Sequence, residues 1–264
     1  MTEAAEGIPE PDAGARPRLS MGRVLRWAAY AFTVFFFAPY YLTCLYILVD
    51  PPISAFMLRQ ALAGRSIAYE WRDLGRISPN LVRQVIAAED GRYCKHWGVD
   101  WSALDMAAGA VAKGRAKGGG STISMQAAKN LFLWNRPAFL RKPFELPLAM
   151  YMDFVLGKER LMEIYLNIVE WAPGVYGAEA AAQHHFGKSA DELDRQEAAQ
   201  LAAALPNPKR RNAGRPGPRV FALAERLRAR AARERSVANC VLGGSGGGGS
   251  EEDMEEERGG WFSD

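Results

Sequence analysis

The chain has 264 residues, 48% of them hydrophobic and 24% charged. That length holds one or two domains with a sizeable core, and that apolar content excludes a disordered tail protein and a purely polar binding module. The formal net charge of +3 averages two unlike parts: residues 243–264 carry seven acidic groups against one arginine, a local −6, which leaves +9 for residues 1–242. A basic body suits an anionic partner such as nucleic acid, anionic lipid or a phosphorylated substrate, and charge alone does not choose among them.

In chain order, residues 1–26 form a polar, Pro- and Ala-rich lead expected to be disordered and cytoplasmic. Trp27 to Val49 is an uncharged run of 23 residues rich in Phe, Tyr, Val and Leu. At ~1.5 Å per residue it can cross a hydrocarbon core of ~30 Å, and it exceeds the ~7–15 residues of a signal-peptide core. Arg16, Arg18, Arg23 and Arg26 precede this run and Asp50 follows it. The positive-inside rule then predicts a single-pass protein of the cell inner membrane, with a cytoplasmic N-terminus and a periplasmic domain over residues 50–242. Such a placement argues against DNA or RNA as partner.

Residues 51–77 are a connector of mixed character. Ser78-Pro79 reads as N-cap and first helical position, followed by Leu81, Val82, Val85 and Ile86 on one face. A helix is predicted from about Trp101 to Ala112, then a basic Gly-rich loop over residues 114–120. Ser121 or Thr122 caps the next helix, which runs to about Leu133. Further helices are predicted over about 147–157, 158–171, 174–185, 193–205 and 219–240. No alternating strand pattern and no repeat period stands out, so the fold class is mainly α. Residues 243–264, a Gly/Ser linker followed by an acidic tail, are expected to be disordered and to lie outside the fold. The cysteines Cys44, Cys94 and Cys240 have unrelated spacings that suggest neither a metal pattern nor a disulfide framework. With Cys44 in the apolar run, Cys94 and Cys240 are the one conceivable pair, and a bond between them is not expected.

Four segments could carry chemistry. Glu89-Asp90 closes the helix that starts at Ser78, and the negative end of the macrodipole there raises a carboxylate's pKa toward that of a general base. Read locally, the pair could equally be a solvated acidic helix end, and His96 a structural residue. Gly119-Gly120-Ser121-Thr122 enters a helix whose free N–H groups suit phosphate oxygens, and Gln126 and Lys129 share one face of it. Gly120 stands where a P-loop needs its lysine, which excludes that motif. Arg141-Lys142 lies close to Glu145, in a pattern that a surface ion pair would also give. Lys158 to Asn167 is amphipathic, with Leu161, Ile164, Tyr165 and Ile168 expected in the core. Adjacent His184-His185 lack ligand spacing, and no metal site built by the protein is expected.

Taken in order, these segments resemble the five motifs of the family 51 glycosyltransferases, the peptidoglycan transglycosylases. Glu89-Asp90, Tyr93, His96 and Gly98 resemble the first. Gly120-Ser121-Thr122, Gln126 and Lys129-Asn130 resemble the second, Arg141-Lys142 and Glu145 the third, and Lys158, Glu163 and Tyr165-Leu166-Asn167 the fourth. Gly177-Ala178-Glu179 through Pro206-Asn207-Pro208 resembles the fifth. The resemblance implies a lysozyme-like, two-lobed helical fold. It also implies polymerisation of lipid II onto a glycan strand held on undecaprenyl diphosphate, with inversion at the anomeric carbon. With no Ser-x-x-Lys or Lys-Thr-Gly present, a member without a transpeptidase domain is expected.

By the same resemblance Glu89 is the base and Glu145 orients the donor. Asp90, His96, Ser121, Thr122, Gln126, Lys129, Asn130, Arg141 and Lys142 bind substrate, and a divalent cation (Mg or Mn) sits on the substrate diphosphate. Leu131 to Trp134 would hold the cleft at the membrane, and other cell-wall synthesis proteins are conceivable partners. Three features depart from the family pattern. Met125 replaces a second glutamine, Pro137 stands in place of an arginine while Arg136 lies one position early, and Pro143 and Pro147 flank Glu145. The prolines suggest that Glu145 lies at a helix start. A lytic transglycosylase and an inactive wall-binding scaffold are the rival readings.

Overall fold

The computed structural model describes residues 20–114, 119–134 and 137–243. The expectations for residues 1–19 and 244–264, for positions 115–118 of the Gly-rich loop and for Arg136 lie outside these residues. Helix α1, Met21–Leu45, is the one helix among the described residues long and apolar enough to cross a membrane. Its ladder starts on the Ser20 carbonyl, which accepts from the Arg23 and Val24 amides. Residues 21–26 are therefore helical, not part of a disordered lead, and Tyr46–Val49, expected to end the span, leave the helix as turns. The chain divides into two units between Ala38 and Pro39, and all candidate site residues belong to the second.

In that unit the connector is structured. Ser54 caps α2 (Ala55–Leu62), its hydroxyl accepting the Met57 amide at 3.2 Å. Beyond it, Arg72 is gripped by the fully buried Asn167. The Asn167 Oδ1 accepts the Arg72 amide at 2.9 Å, and its Nδ2 donates to the Arg72 and Glu163 carbonyls at 2.8 Å. A buried amide with these partners meets the polar needs of an otherwise irregular backbone. Glu179, 1% exposed, sits nearby and accepts from the Ala190 amide, Ser189 and Gln183 while pairing with Arg72. Burial pushes its pKa up, but these bonds outweigh burial and hold it below the usual carboxylate value.

Helix α3 (Pro79–Glu89) buries Leu81, Val82, Val85 and Ile86, the face predicted from its spacing. It packs on α8 (Arg195–Ala204) and α9 (Pro218–Arg233). Ser78 occupies the N-cap position without capping: its hydroxyl donates instead to the Leu193 carbonyl at 2.7 Å, joining α3 to the turn before α8. Helix α4 covers Trp101–Ala112, and Thr122 caps α5 (Ile123–Phe132) by accepting the Met125 amide. Helix α5 packs along α6 (Ala138–Ile168), which is broken at Gly157, φ 70° and ψ 171°, near the helix boundary predicted from the sequence.

Pro143 and Pro147 lie inside α6, so Glu145 is not at a helix start. Each proline removes one i→i−4 bond, and the packing of α6 along α5 holds the helix through both positions. Three short strands, β1 (Ala68–Tyr69), β2 (Glu170–Ala172) and β3 (Val175–Tyr176), form a sheet in the order β1-β3-β2. β1 is parallel to β3, with Ala68 opposite Val175, and β2 is antiparallel to it. Strands of two or three residues are too short to show alternation in a sequence. Helices α7 (Ala178–Phe186) and α10 (Asn239–Leu242) complete the unit.

Cys94 and Cys240 are joined by a disulfide across 146 residues, correcting the expectation that they stay apart. The C-terminal turn at residues 235–238 packs on α3 and on the turn holding Cys94, a proximity that spacing does not reveal. Replacing Cys240 with serine is expected to lower stability by about 2–5 kcal/mol, read from thermal unfolding of the detergent-solubilised protein. Gly98→Ala is the backbone counterpart. Gly98 has φ +75°, and a Cβ there would meet the Ala149 carbonyl oxygen and Met150 Cα at 2.6 Å. A loss of about 2–4 kcal/mol is expected from the left-handed backbone and the clash together, in the same assay.

Candidate active site

The site starts from a joint between two helices. Asp90, immediately after α3, is buried, and its Oδ2 accepts the Ile123 amide at 3.0 Å, at the first residue of α5. A carboxylate at the positive end of a helix is favoured by the dipole and by the free N–H groups there. His96 Nε2 donates to the same carboxylate at 3.0 Å, and its Nδ1 is buried with no hydrogen-bond partner. Thr122 adds a second tie: its hydroxyl donates to the Gly98 carbonyl at 2.5 Å while accepting the Met125 amide. Apart from His96 Nδ1, Asp90, His96 and Thr122 use their polar groups on one another and on the backbone, and they act on the site by fixing where α3 meets α5.

The joint brings Glu89 against α5. Gln126 Nε2 donates to Glu89 Oε2 at 2.7 Å, and Tyr165 donates to the other end of the Gln126 amide at 3.3 Å. The amide is thereby oriented with its donor toward the carboxylate. Burial raises the Glu89 pKa, partly offset by the Gln126 bond and by the charges of Lys129 and Arg211. The direction is the one read from the helix end, but the main cause is desolvation.

One helical turn beyond Gln126, Lys129 is half-buried, and among the described residues no carboxylate lies within ion-pair distance of it. Burial lowers its pKa; Glu145 and Glu89 oppose that shift, while Arg141 and Lys142 add to it. Lys129 therefore stands in the field of both halves of the site. The second half lies on α6. Glu145, 1% exposed, takes Arg141 Nε at 2.5 Å and Lys142 Nζ at 2.9 Å, at i−4 and i−3 spacing. Arg141 also donates to the Trp134 carbonyl at 3.1 Å, and Lys142 reaches Ser121 at 3.2 Å, which ties α6 to the loop before α5. Counting charges, Lys129, Arg141 and Lys142 exceed Glu145 by two. Asn130 is buried beside Lys129.

Several groups were not legible as part of this site. Asp153, 2% exposed, accepts from Ser124 at 2.7 Å and from Lys158 at 2.6 Å. Lys158 also donates to the His96 carbonyl at 2.7 Å and lies 4.5 Å over the Tyr93 ring, so the start of the fourth motif clamps the loop of the first. Tyr165 was read as core; its available signal was a hydroxyl that a buried tyrosine must satisfy. Arg211, whose Nη1 donates to the Ala203 carbonyl at 2.7 Å, gave no local signal. Met125 is fully buried, so this departure from the family pattern faces the core and not the site. Leu131 to Trp134 is likewise not an exposed apolar edge: Leu131 is 4% exposed, and Phe132 stacks on Tyr46 at 6.1 Å. Exposed apolar side chains on α4, on α6 and in the loop before α4 include instead Trp97, Trp101, Met106, Phe139, Leu140, Phe144 and Phe154. No cluster of three potential metal ligands occurs among the described residues.

A helical domain that sets a desolvated glutamate beside a surplus of partly buried cations is the kind of site that handles a hydroxyl and a phosphorylated leaving group. Comparison with known proteins narrows the class, since a transglycosylase family model matches residues 58–235. The chain belongs to the transglycosylase family. Among its relatives is a biosynthetic peptidoglycan transglycosylase of Rhizobium leguminosarum bv. trifolii, 49% identical over 83% of this chain and 94% of that protein. Proteins of the same description from Rhizobium etli and Rhodopseudomonas palustris are 51% and 46% identical. They cover 77% and 80% of this chain, and 88% and 93% of their own lengths are matched.

The ion-pair cluster on α6 makes a direct prediction. Arg141→Ala leaves Glu145 buried with one partner, and Glu145→Ala leaves two cations facing each other. Each is expected to cost about 3 kcal/mol or more, because breaking a buried pair strands the remaining charge, and the thermal unfolding midpoint checks it. The more exposed Lys142, as Lys142→Ala, is expected to lose less.

Proposed function

We infer that this chain is a peptidoglycan glycosyltransferase of cell-wall synthesis, polymerising lipid II on a glycan strand carried by undecaprenyl diphosphate. The observation that carries the reading is that Glu89 and Lys129 meet on one face of α5. The base is held by Gln126, and the cation one turn on lies in the field of Arg141, Lys142 and Glu145. In this reading Glu89 takes the proton from the acceptor's 4-hydroxyl as that oxygen bonds to the donor's anomeric carbon. The bond from that carbon to the diphosphate breaks on the opposite face, giving inversion. Lys129, Arg141 and Lys142 take up the charge that gathers on the departing diphosphate. Glu145 acts by fixing the two α6 cations, and Ser121 by holding Lys142. The divalent cation is placed on the substrate diphosphate and not on the protein, since Glu145 is already neutralised from both sides, and no step is routed through it.

Helix α1 supports an inner-membrane anchor with a cytoplasmic N-terminus and a periplasmic catalytic domain. The exposed Trp97, Trp101, Phe139 and Phe154 support a body that touches the bilayer bearing its lipid-linked substrates.

The test is incubation of the purified protein with labelled lipid II. Polymer is expected; cleavage of pre-made glycan without polymer would point to a lytic enzyme. Glu89→Gln is expected to lower polymerisation by about 10²–10⁴-fold, the range for loss of a general base, and equal rates in mutant and wild type would remove Glu89 from the role. Stability separates this from unfolding. A carboxyl whose folded pKa is raised loses stabilisation as pH rises through that pKa, so Glu89→Gln is expected to be at least as stable as wild type at pH 7. For the same reason the acidic limb of the rate profile should lie above an ordinary glutamate's pKa of ~4.3. Gln126→Ala, which removes a bond favouring the carboxylate, should move that limb to higher pH.

A further inference from the structure

Helix α1 ends without a cation of its own, since no basic residue lies in its last turn. Carbonyls at a helix C-terminus lack intrahelical partners, and the macrodipole leaves partial negative charge there. Arg160, on α6 and 114 residues further along than Tyr46, supplies the missing cation. Its Nε donates to the Tyr46 carbonyl at 2.9 Å. Its Nη2 donates to the Val49 carbonyl at 3.1 Å and to the Asp50 carboxylate at 2.8 Å. Glu163 takes Nη1, and the guanidinium lies 5.4 Å over the Trp71 ring, so the fork is fixed from its own side. A planar guanidinium can hold three such acceptors at once, which a lysine ammonium on a flexible stem does poorly. Arg160 takes no part in the chemistry proposed above.

The same segment touches the helix that carries Lys129. Tyr46 is buried and stacks on Phe132 with ring centroids 6.1 Å apart. Phe132 and Lys129 are three apart on α5, hence neighbours on its surface. Just beyond, the Pro51 carbonyl accepts the Tyr69 hydroxyl at 3.1 Å. All of these contacts lie in the unit that begins at Pro39. A flexible linker after a membrane helix would let a catalytic body drift, whereas here residues 46–51 are held by α6, α5 and β1. We propose that Arg160 is a positioning residue: it fastens the segment leaving the membrane anchor, residues 46–50, to α6 beside α5, so that lipid-borne substrate meets Lys129 and Glu89 at a set depth. The proposal rests on reading α1 as the anchor and the chain as a lipid II polymerase. Both substrates of that reaction are tied to the bilayer, and a misplacement of ~1 Å can cost about 10²-fold in rate.

The test compares two substrates on the full-length protein and on Arg160→Ala, each reconstituted in phosphatidylcholine vesicles. In such neutral lipid the lost charge does not alter attraction to the surface. One substrate is lipid II carried in the same vesicles; the other is an analogue with a short, water-soluble chain that reaches the site from solution. Arg160→Ala is expected to slow polymerisation of the membrane-borne substrate about tenfold and to leave the short-chain rate within about twofold, as a misplacement relative to the bilayer requires. Equal losses on both substrates overturn the proposal in favour of a purely structural role. An undiminished rate on the membrane-borne substrate also overturns it. A second measurement needs no substrate. The amides of residues 46–49 bond back into the last turns of α1. Their hydrogen exchange should quicken about tenfold in Arg160→Ala, the scale of losing one or two hydrogen bonds. Unchanged exchange there sinks the clamp. A wild type that polymerises neither substrate counts against the lipid II reading, and the exchange rates then decide the clamp by themselves.

Discussion

Asp90 joins the end of one helix to the start of another, and the catalytic geometry depends on that joint. Its carboxylate accepts the first amide of α5 and the ring N–H of His96 while buried from water. An anion there is held by the positive end of a helix and cannot move without leaving free N–H groups unpaired. Because α3 and α5 meet at this point, Glu89 lies opposite Gln126 and Lys129 follows one turn later. The Thr122 bond to the Gly98 carbonyl and the Lys158 bond to the His96 carbonyl hold the intervening loop from its two sides.

Around the joint the chain uses buried polar groups where a small helical domain would usually use apolar ones. Asn167, Glu179, Asp153 and Glu145 are each 2% exposed or less, and the first three make hydrogen bonds or ion pairs that span distant parts of the sequence. Such contacts contribute little net energy compared with apolar packing, yet losing one partner is costly. They specify which segments meet, which suits a site assembled from α3, α5, α6 and the loops between them.

Electrostatics divides the site into two halves with opposite demands. Glu89 is kept basic by desolvation and moderated by the Gln126 hydrogen bond, whereas Glu145 is paired with two adjacent cations, Arg141 and Lys142. The prolines beside Glu145 do not disturb this, because i−3 and i−4 side-chain spacing depends on the helix continuing and not on every backbone bond being made. Lys129 lies between the halves, which explains why its pKa responds to all four neighbours.

Much was legible without coordinates because helical periodicity and ordered motifs are local properties. The α3 face, the α4 bounds, the Thr122 cap, the break near Gly157 and the apolar α1 all follow from residues within a few positions of one another. The roles of Glu89, Lys129 and Arg141 came from resemblance. Tertiary structure decided what depends on distant pairs: the Cys94–Cys240 bond across 146 residues, Lys158 on the His96 carbonyl, and Tyr165 orienting Gln126. It also decided that Met125 faces the core and that burial, more than the helix end, raises Glu89. Local pattern fixes which face of a helix is apolar, but desolvation and cross-chain hydrogen bonds exist only once the chain has closed around them.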